Sequence, residues 1–299
     1  MKLVSFYAEG EERVGVLSAD EKFVTDIASV IDGDFYDMVE FIEYATKKDL
    51  QILRRVAAKG GDDWDDYDTF VTKSVKLRSP IPWPIHDILC LGVNYQDHLE
   101  EARRDMKGHF AAPTHAVYFA KRATEILGPG DKIKGRFDLD PELDYEVELA
   151  VIIGKAGKDI PLEKAEDYVF GYSVFNDVSS RKIQKAHQQW FRGKSFDGYS
   201  VLGPCILTKD ELPFPVAVDV ISRVNGELRQ SSNTSMLIHD IPHIIAELSA
   251  GMTLEPGDII ATGTPAGVGM GFTPPKYLVK GDTVTVEIPE IGKLTNKII

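Results

Sequence analysis

Cysteine is nearly absent: Cys90 and Cys205 are the only two in 299 residues, and they lie far apart. That spacing excludes a disulfide framework, a metal knuckle and a redox pair, so both are expected in the core of a protein kept in a reducing compartment. Long apolar runs are missing too. The stretches at 151–153 and 237–250 are broken by charge or proline, short of the ~20 apolar residues a membrane helix needs. The N-terminal MKLVSFYAEGEERVG lacks the apolar centre and small-residue cleavage site of a secretory signal. A soluble, cytoplasmic chain is therefore expected. Basic clusters longer than a pair or so are absent, and a net charge of −13 with pI near 5.0 argues against a nucleic-acid partner. The seven histidines show no HExxH or similar spacing, which disfavours zinc. No internal repeat or low-complexity segment is visible.

With 43% hydrophobic and 27% charged residues, the chain can bury one large core and a small second unit. Residues 3–7, 14–17 and 22–26 read as short strands, followed by helical stretches around 35–46 and 50–59. After the polar GGDDWDDYD comes SPIPWP, whose prolines exclude helix. The boundary is placed there: residues 1–78 form a small N-terminal α+β domain and 79–299 a β-dominated domain. Strand patterns punctuated by turn dipeptides fill the second part, and Asn225–Gly226 between alternating strands marks a hairpin. Helices are expected at 94–104, 162–166, 181–188 and 242–249. The fold class is α+β, mainly β, with a barrel-like roll at its C-terminal end.

An acidic chain that handles an anion needs local positive charge, from a metal or a few placed cations. In LDYEVELAVIIGK, strand alternation projects Glu146 and Glu148 from one face and Tyr145, Val147 and Leu149 from the other. Alone, this is also the pattern of a strand with a wet face. The same face continues into Ala150 and Ile152, however, which points to burial, where neighbouring carboxylates need a cation. In VFNDVSSRKIQ, Asp177 ends an apolar strand; it is a third oxygen ligand or a helix cap. Three carboxylates and waters suit Mg²⁺ or Mn²⁺.

In LGVNYQDHLEEA, Asn94 is expected to cap a helix that presents His98 and Glu101 on one face. Such a pair either decorates a surface or forms a dyad whose carboxylate fixes the imidazole tautomer for general-base work. WFRGKSFDGYS places Lys194 in a glycine-bracketed loop, a candidate anion holder, while Arg181 and Gln184 stand one turn apart as further donors. IIATGTPAGVG runs a strand into a loop whose N–H groups and Thr264 hydroxyl are expected to bind an anion. No GKS/T follows, so it is not a Walker loop.

Taken in order, LGVNYQDHLEEA, LDYEVELAVIIGK, VFGYSVFNDVSSRKIQ, GKSFD, VNGELRQ, LEPGDIIATGTPAGVG and GDTVTVEIPEIGKLTN resemble the fumarylacetoacetate hydrolase family over about residues 80–299. The resemblance implies a mixed β-sandwich roll and a homodimer. It also implies Mg²⁺ or Mn²⁺ held by Glu146, Glu148 and Asp177, a His98–Glu101 dyad on a mobile lid helix, and substrate contacts from Arg181, Gln184, Lys194 and Thr264. The implied substrate is a small 2-oxo acid. The expected reaction is hydrolysis of a carbon–carbon bond in a 2,4-dioxo acid through a pyruvate-type enolate, with Lys194 helping to stabilise its charge. Decarboxylation of an oxaloacetate-type acid and tautomerisation are alternatives on the same site; a non-catalytic metal- or ligand-binding scaffold is the alternative of another class. Residues 104–114 and 270–277 are expected to shape the far end of the pocket.

Overall fold

The computed structural model describes residues 1–33, 35–59, 67–105 and 114–299, the side chains of 102–105 excepted. Most of the expected polar stretch 60–68 and most of the expected pocket loop 104–114 lie outside the described residues. Among those described, eleven strands form one sheet. Its centre runs Lys2–Ala8, Ser200–Thr208, Val169–Asp177, Val147–Ile153, Ile259–Ala261, Ile88–Gly92 and Val117–Lys121, and Glu11–Leu17, Phe23–Asp26 and Thr69–Val71 extend it from Lys2–Ala8. The N-terminal strands therefore continue the sheet that carries the central ones, joined where Lys2 and Leu3 pair with Leu207 and Ile206. A second sheet is built from Glu227–Asn233, Asp219–Val224, Thr283–Ile288, Gly292–Ile298 and Lys132–Ile133. The sheets are not closed into a barrel; they stack as a sandwich.

Strand alternation explains the layers. Val147, Leu149, Val151 and Ile153 face one core with Val220, Val284, Val286 and Leu294 of the second sheet. Ala150, Ile152, Phe175 and Ile206 face the other core with Met38, Phe41, Leu53 and Val56 of two helices. Each such buried side chain stabilises the fold by roughly 1.5–3 kcal/mol.

The helices Met38–Tyr44 and Lys47–Ala58 replace the expected 35–46 and 50–59. Thr46 does not end the first helix. Its hydroxyl accepts from the Asp49 N–H and the Asp49 carboxylate accepts in return from the Thr46 N–H, a capping box that starts the second. The hairpin at Asn225–Gly226 is present, with φ of 51° and 84° as a type I′ turn requires. The expected helix at 94–104 runs Gln96–Asp105, 162–166 is a 3₁₀ segment, Leu162–Tyr168, and 181–188 shortens to Arg181–Ala186.

Candidate functional site

Register assembles the acidic centre. Val147 pairs with Asn176 across the antiparallel strands, and the Asp177 N–H donates to the Glu146 carbonyl at 2.9 Å. Opposed residues share a face, so Glu146, Glu148 and Asp177 converge. One carboxylate oxygen from each lies within 4.8 Å of the other two, and all three residues are buried. The burial inferred from Ala150 and Ile152 is thus observed.

Three cations surround this centre. Lys194 Nζ donates to Glu146 Oε2 at 2.8 Å and Asp177 Oδ2 at 2.7 Å. Arg181 Nη2 lies 2.6 Å from Glu146 Oε1. Lys121, fully buried, donates to Asp177 Oδ1 and to the carbonyls of Val178 and Tyr199. Burial alone would raise the Glu146 pKa, but Lys194 and Arg181 hold it down to about 2. Glu148 goes the other way: burial, then repulsion from Asp177 and Glu146, push its carboxyl well above the usual range. Its hydrogen bond is from the Gly263 N–H, at 2.8 Å, and no cation bonds it among the described residues. Three converging carboxylate oxygens, one of them short of positive charge, fit a hard divalent cation, and the all-oxygen donor set suits Mg²⁺ or Mn²⁺ better than zinc.

Above the centre lies a cavity of about 820 Å³, lined by His98, Glu101, Glu146, Arg181, Gln184, Lys194 and Thr264 among others. Every expected site residue except Glu148 and Asp177, which lie beneath it, therefore faces one space. Trp190 lies against Gly92, where a Cβ would come within 2.1 Å of its ring, and packs edge-on to Phe119 at 5.3 Å. With Met270, Phe272 and Tyr277 from the expected pocket loop, they make the outer wall apolar and aromatic.

His98 Nδ1 is 2.9 Å from Glu101 Oε2, so the pair forms a dyad. The other Glu101 oxygen accepts from the Gly267 N–H at 3.0 Å, which docks the helix on the glycine loop. At Gly271 a Cβ would fall 1.9 Å from Glu101 Oε1. Glycine is what admits the carboxylate.

Several expectations need correction. Asn94 does not cap the helix: its side chain donates to the carbonyls of His239 and Thr262 and accepts from the His239 N–H, tying the helix entry to the loop. Lys194 is on a short helical turn, Phe191–Lys194, and its charge is directed at carboxylates of the protein. The glycine loop binds anions as its composition suggests, but they are the chain's own: Glu148 at Gly263, Glu101 at Gly267, and Asp144 at Gly269 and Met270. The Thr264 hydroxyl donates to the Val147 carbonyl and accepts from Gln230, so its proton is already committed. Arg181 and Gln184 do meet, with Nη1 donating to Oε1 at 3.0 Å.

Sequence reasoning missed Lys121, Asp144 and Gln230. Lys121 ends an apolar strand pattern, VYFAK, where a lysine is out of place unless paired; that was its signal. Gln230, fully buried, accepts from the Val147 N–H and donates to Thr264 and Pro265, fastening the loop to the strand between the two glutamates. Nothing local in VNGELRQ announces this, because its partners are distant in sequence.

Residues 87–299 match the model of the fumarylacetoacetate (FAA) hydrolase C-terminal family. Oxaloacetate tautomerase YisK of Bacillus subtilis is 46% identical over 246 residues, 82% of this chain and 80% of the relative. A fumarylacetoacetate hydrolase from Exiguobacterium antarcticum superposes with a TM-score of 0.82 at 40% identity, covering 100% of this chain and 99% of the other. Maleylpyruvate hydrolase from Sphingobium sp. SYK-6, solved with manganese(II) and pyruvate, gives 0.74 at 30% identity over 100% and 99% of the two chains. The match over residues 87–299 and the 46% identity of the Bacillus relative show that the chain belongs to the fumarylacetoacetate hydrolase family.

Proposed function

We propose that this chain is a divalent-metal-dependent enzyme acting on a small 2-oxo acid, and that its reaction is the keto–enol tautomerisation of an oxaloacetate-type substrate. The observation that carries this reading is one cavity lined by Glu146, Arg181, Lys194 and the His98–Glu101 dyad, with Glu148 and Asp177 converging on Glu146 beneath it. The named activity of the Bacillus relative supports the choice of reaction.

Glu146, Glu148 and Asp177 would hold the cation, which when bound would polarise the 2-oxo oxygen and stabilise the negative charge developing there. Arg181, oriented by its hydrogen-bonded neighbours, binds the adjacent carboxylate through the free part of its fork. Lys194 Nζ, which bonds Glu146 and Asp177 and lines the cavity, would place a positive charge beside the same end of the substrate. His98, its Nδ1 held by Glu101, uses Nε2 to take a proton from C3, and the imidazolium so formed gives that proton to the 2-oxo oxygen to yield the enol; the reverse restores the ketone. Only one C–H and one O–H bond change.

A second reading, hydrolysis of a 2,4-dioxo acid, is favoured by the hydrolase neighbour and by a cavity larger than oxaloacetate needs. There His98 deprotonates a water that attacks the distal carbonyl, and the C–C bond breaks to a carboxylic acid and pyruvate.

The test is to give metal-stripped protein oxaloacetate and acetylpyruvate, with and without Mg²⁺ or Mn²⁺, following enol absorbance, pyruvate, CO₂ and acetate. Metal-dependent equilibration of oxaloacetate without CO₂ supports the tautomerase. Acetate from acetylpyruvate moves the assignment to the hydrolase, CO₂ from oxaloacetate to a decarboxylase. With metal bound and neither substrate altered, the proposal fails. His98→Ala should lower kcat by about 10²–10⁴-fold and leave Mn²⁺ affinity unchanged; undiminished turnover would remove the dyad from the mechanism.

A further inference from the structure

Asp144 is a fully buried carboxylate that takes no part in the metal triad, although it lies two residues before Glu146. A buried carboxylate is costly unless its oxygens are well satisfied, and here four donors meet it. The N–H groups of Gly269 and Tyr145 reach Oδ1 at 2.6 and 2.9 Å. The Met270 N–H and Arg181 Nε reach Oδ2 at 3.0 and 2.9 Å.

These donors lead to separate parts of the site. Arg181, held at Nε by Asp144, is held at Nη2 by Glu146 and at Nη1 by Gln184, which fixes the plane of its fork. Gly269 and Met270 belong to the roof whose Gly267 N–H grips Glu101 of the dyad. The fit at Gly269 is close: a Cβ there would come within 2.6 Å of Asp144 Oδ1 and 2.7 Å of the Lys276 carbonyl. Without Asp144, Glu146 would be the remaining carboxylate partner of Arg181 and would draw the guanidinium out of its plane toward the metal ligands.

We propose that Asp144 is a positioning residue, which orients Arg181 for the carboxylate of a 2-oxo acid and in the same contact seats the glycine roof over the cavity. This rests on the reading of the cavity as a 2-oxo acid site, and oxalate, a two-carboxylate mimic of that group, is the probe.

Mn²⁺ binding, and oxalate binding to the Mn²⁺-loaded protein, should be measured by calorimetry for the wild type, Asp144→Asn, Arg181→Gln and the double variant. Asp144→Asn should weaken oxalate by about tenfold, equivalent to about 1.4 kcal/mol, and change Mn²⁺ affinity by less than about threefold. In the Arg181→Gln background the same substitution should cost less than about twofold, because the two residues act through one contact. Gly269→Ala, which keeps the carboxylate but intrudes on it, should weaken oxalate in the same direction, and it covers the case in which Asp144→Asn does not fold. Oxalate affinity unchanged in Asp144→Asn and in Gly269→Ala overturns the role of Asp144. So do an equal loss with and without Arg181, and a parallel loss of Mn²⁺, each of which marks a merely structural part. A wild type that binds Mn²⁺ but no oxalate overturns this proposal and the functional reading together, whereas wild-type oxalate binding without tautomerase turnover overturns only the reaction assigned above.

Discussion

Glu148 holds the centre's charge out of balance. Its two acidic neighbours are each bonded to a cation, while its own pKa is driven up by burial and by those neighbours. A carboxyl whose pKa is raised holds a proton more firmly, and any proton it holds must leave before its oxygen can ligate a metal. Mn²⁺ binding is therefore expected to release protons, seen as a dependence of calorimetric enthalpy on the ionisation enthalpy of the buffer. Glu148→Gln should abolish that dependence and weaken Mn²⁺. Buffer-independent binding by the wild type would show that Glu148 is already ionised. This carboxylate was legible in the sequence as one half of E-x-E, but its difference from Glu146 was not. That difference comes from Lys194 and Arg181, which arrive from after the next strand and reach Glu146 but not Glu148.

Among elements, the glycine loop and the helix Gln96–Asp105 set each other's position. Glu101 docks on the Gly267 N–H and fills the space that a side chain at Gly271 would take. Gly271→Ala meets the movable end of a side chain, so the fold should tolerate it, with melting changed by only a few degrees. The dyad should not: moving the Glu101 carboxylate breaks its bond to His98. Activity should fall by about tenfold or more, and hydrogen exchange in Gln96–Asp105 should quicken; full activity would show that the dyad tolerates displacement. A second contact between elements is pH-sensitive. His86 Nδ1 lies 2.8 Å from Asp258 Oδ1, and that hydrogen bond raises the histidine pKa above 6.5. A group whose folded pKa is raised contributes stability that is fully present below the unfolded value and lost as pH rises through the folded one. The stability difference between wild type and His86→Gln should shrink over that interval above pH 6.5. A difference that stays flat with pH would remove the pair from the stability profile.

At the scale of the molecule, the N-terminal strands extend the sheet that bears the acidic triad, and the helix Met38–Tyr44 packs on its central strand. Phe41 is fully buried, with its ring 6.3 Å from that of Phe170 in Val169–Asp177 and 5.4 Å from Phe35. Phe41→Ala should cost about 3–5 kcal/mol and lower the whole transition, because one core spans both parts. Denaturation followed by circular dichroism and by tryptophan fluorescence should remain a single coincident transition; an N-terminal transition separating from the rest would show independent folding.

The sequence by itself determined what depends on neighbours along the chain: strand and helix periods, the Asn225–Gly226 turn, the pairing of Glu146 with Glu148, and the i,i+3 reach of His98 to Glu101. Its ordered motifs also carried the family, which the match over residues 87–299 shows. Tertiary structure decided where each buried charge finds its partner. Asp177 joins the glutamates through strand register, Lys121 and Asp144 become site residues through contacts far along the chain, and Thr264 and the glycine N–H groups are claimed by the protein's own atoms. The physical reason is that a buried charge is tolerated only with a partner, and partners come from whichever strand or loop the fold brings within about 3 Å.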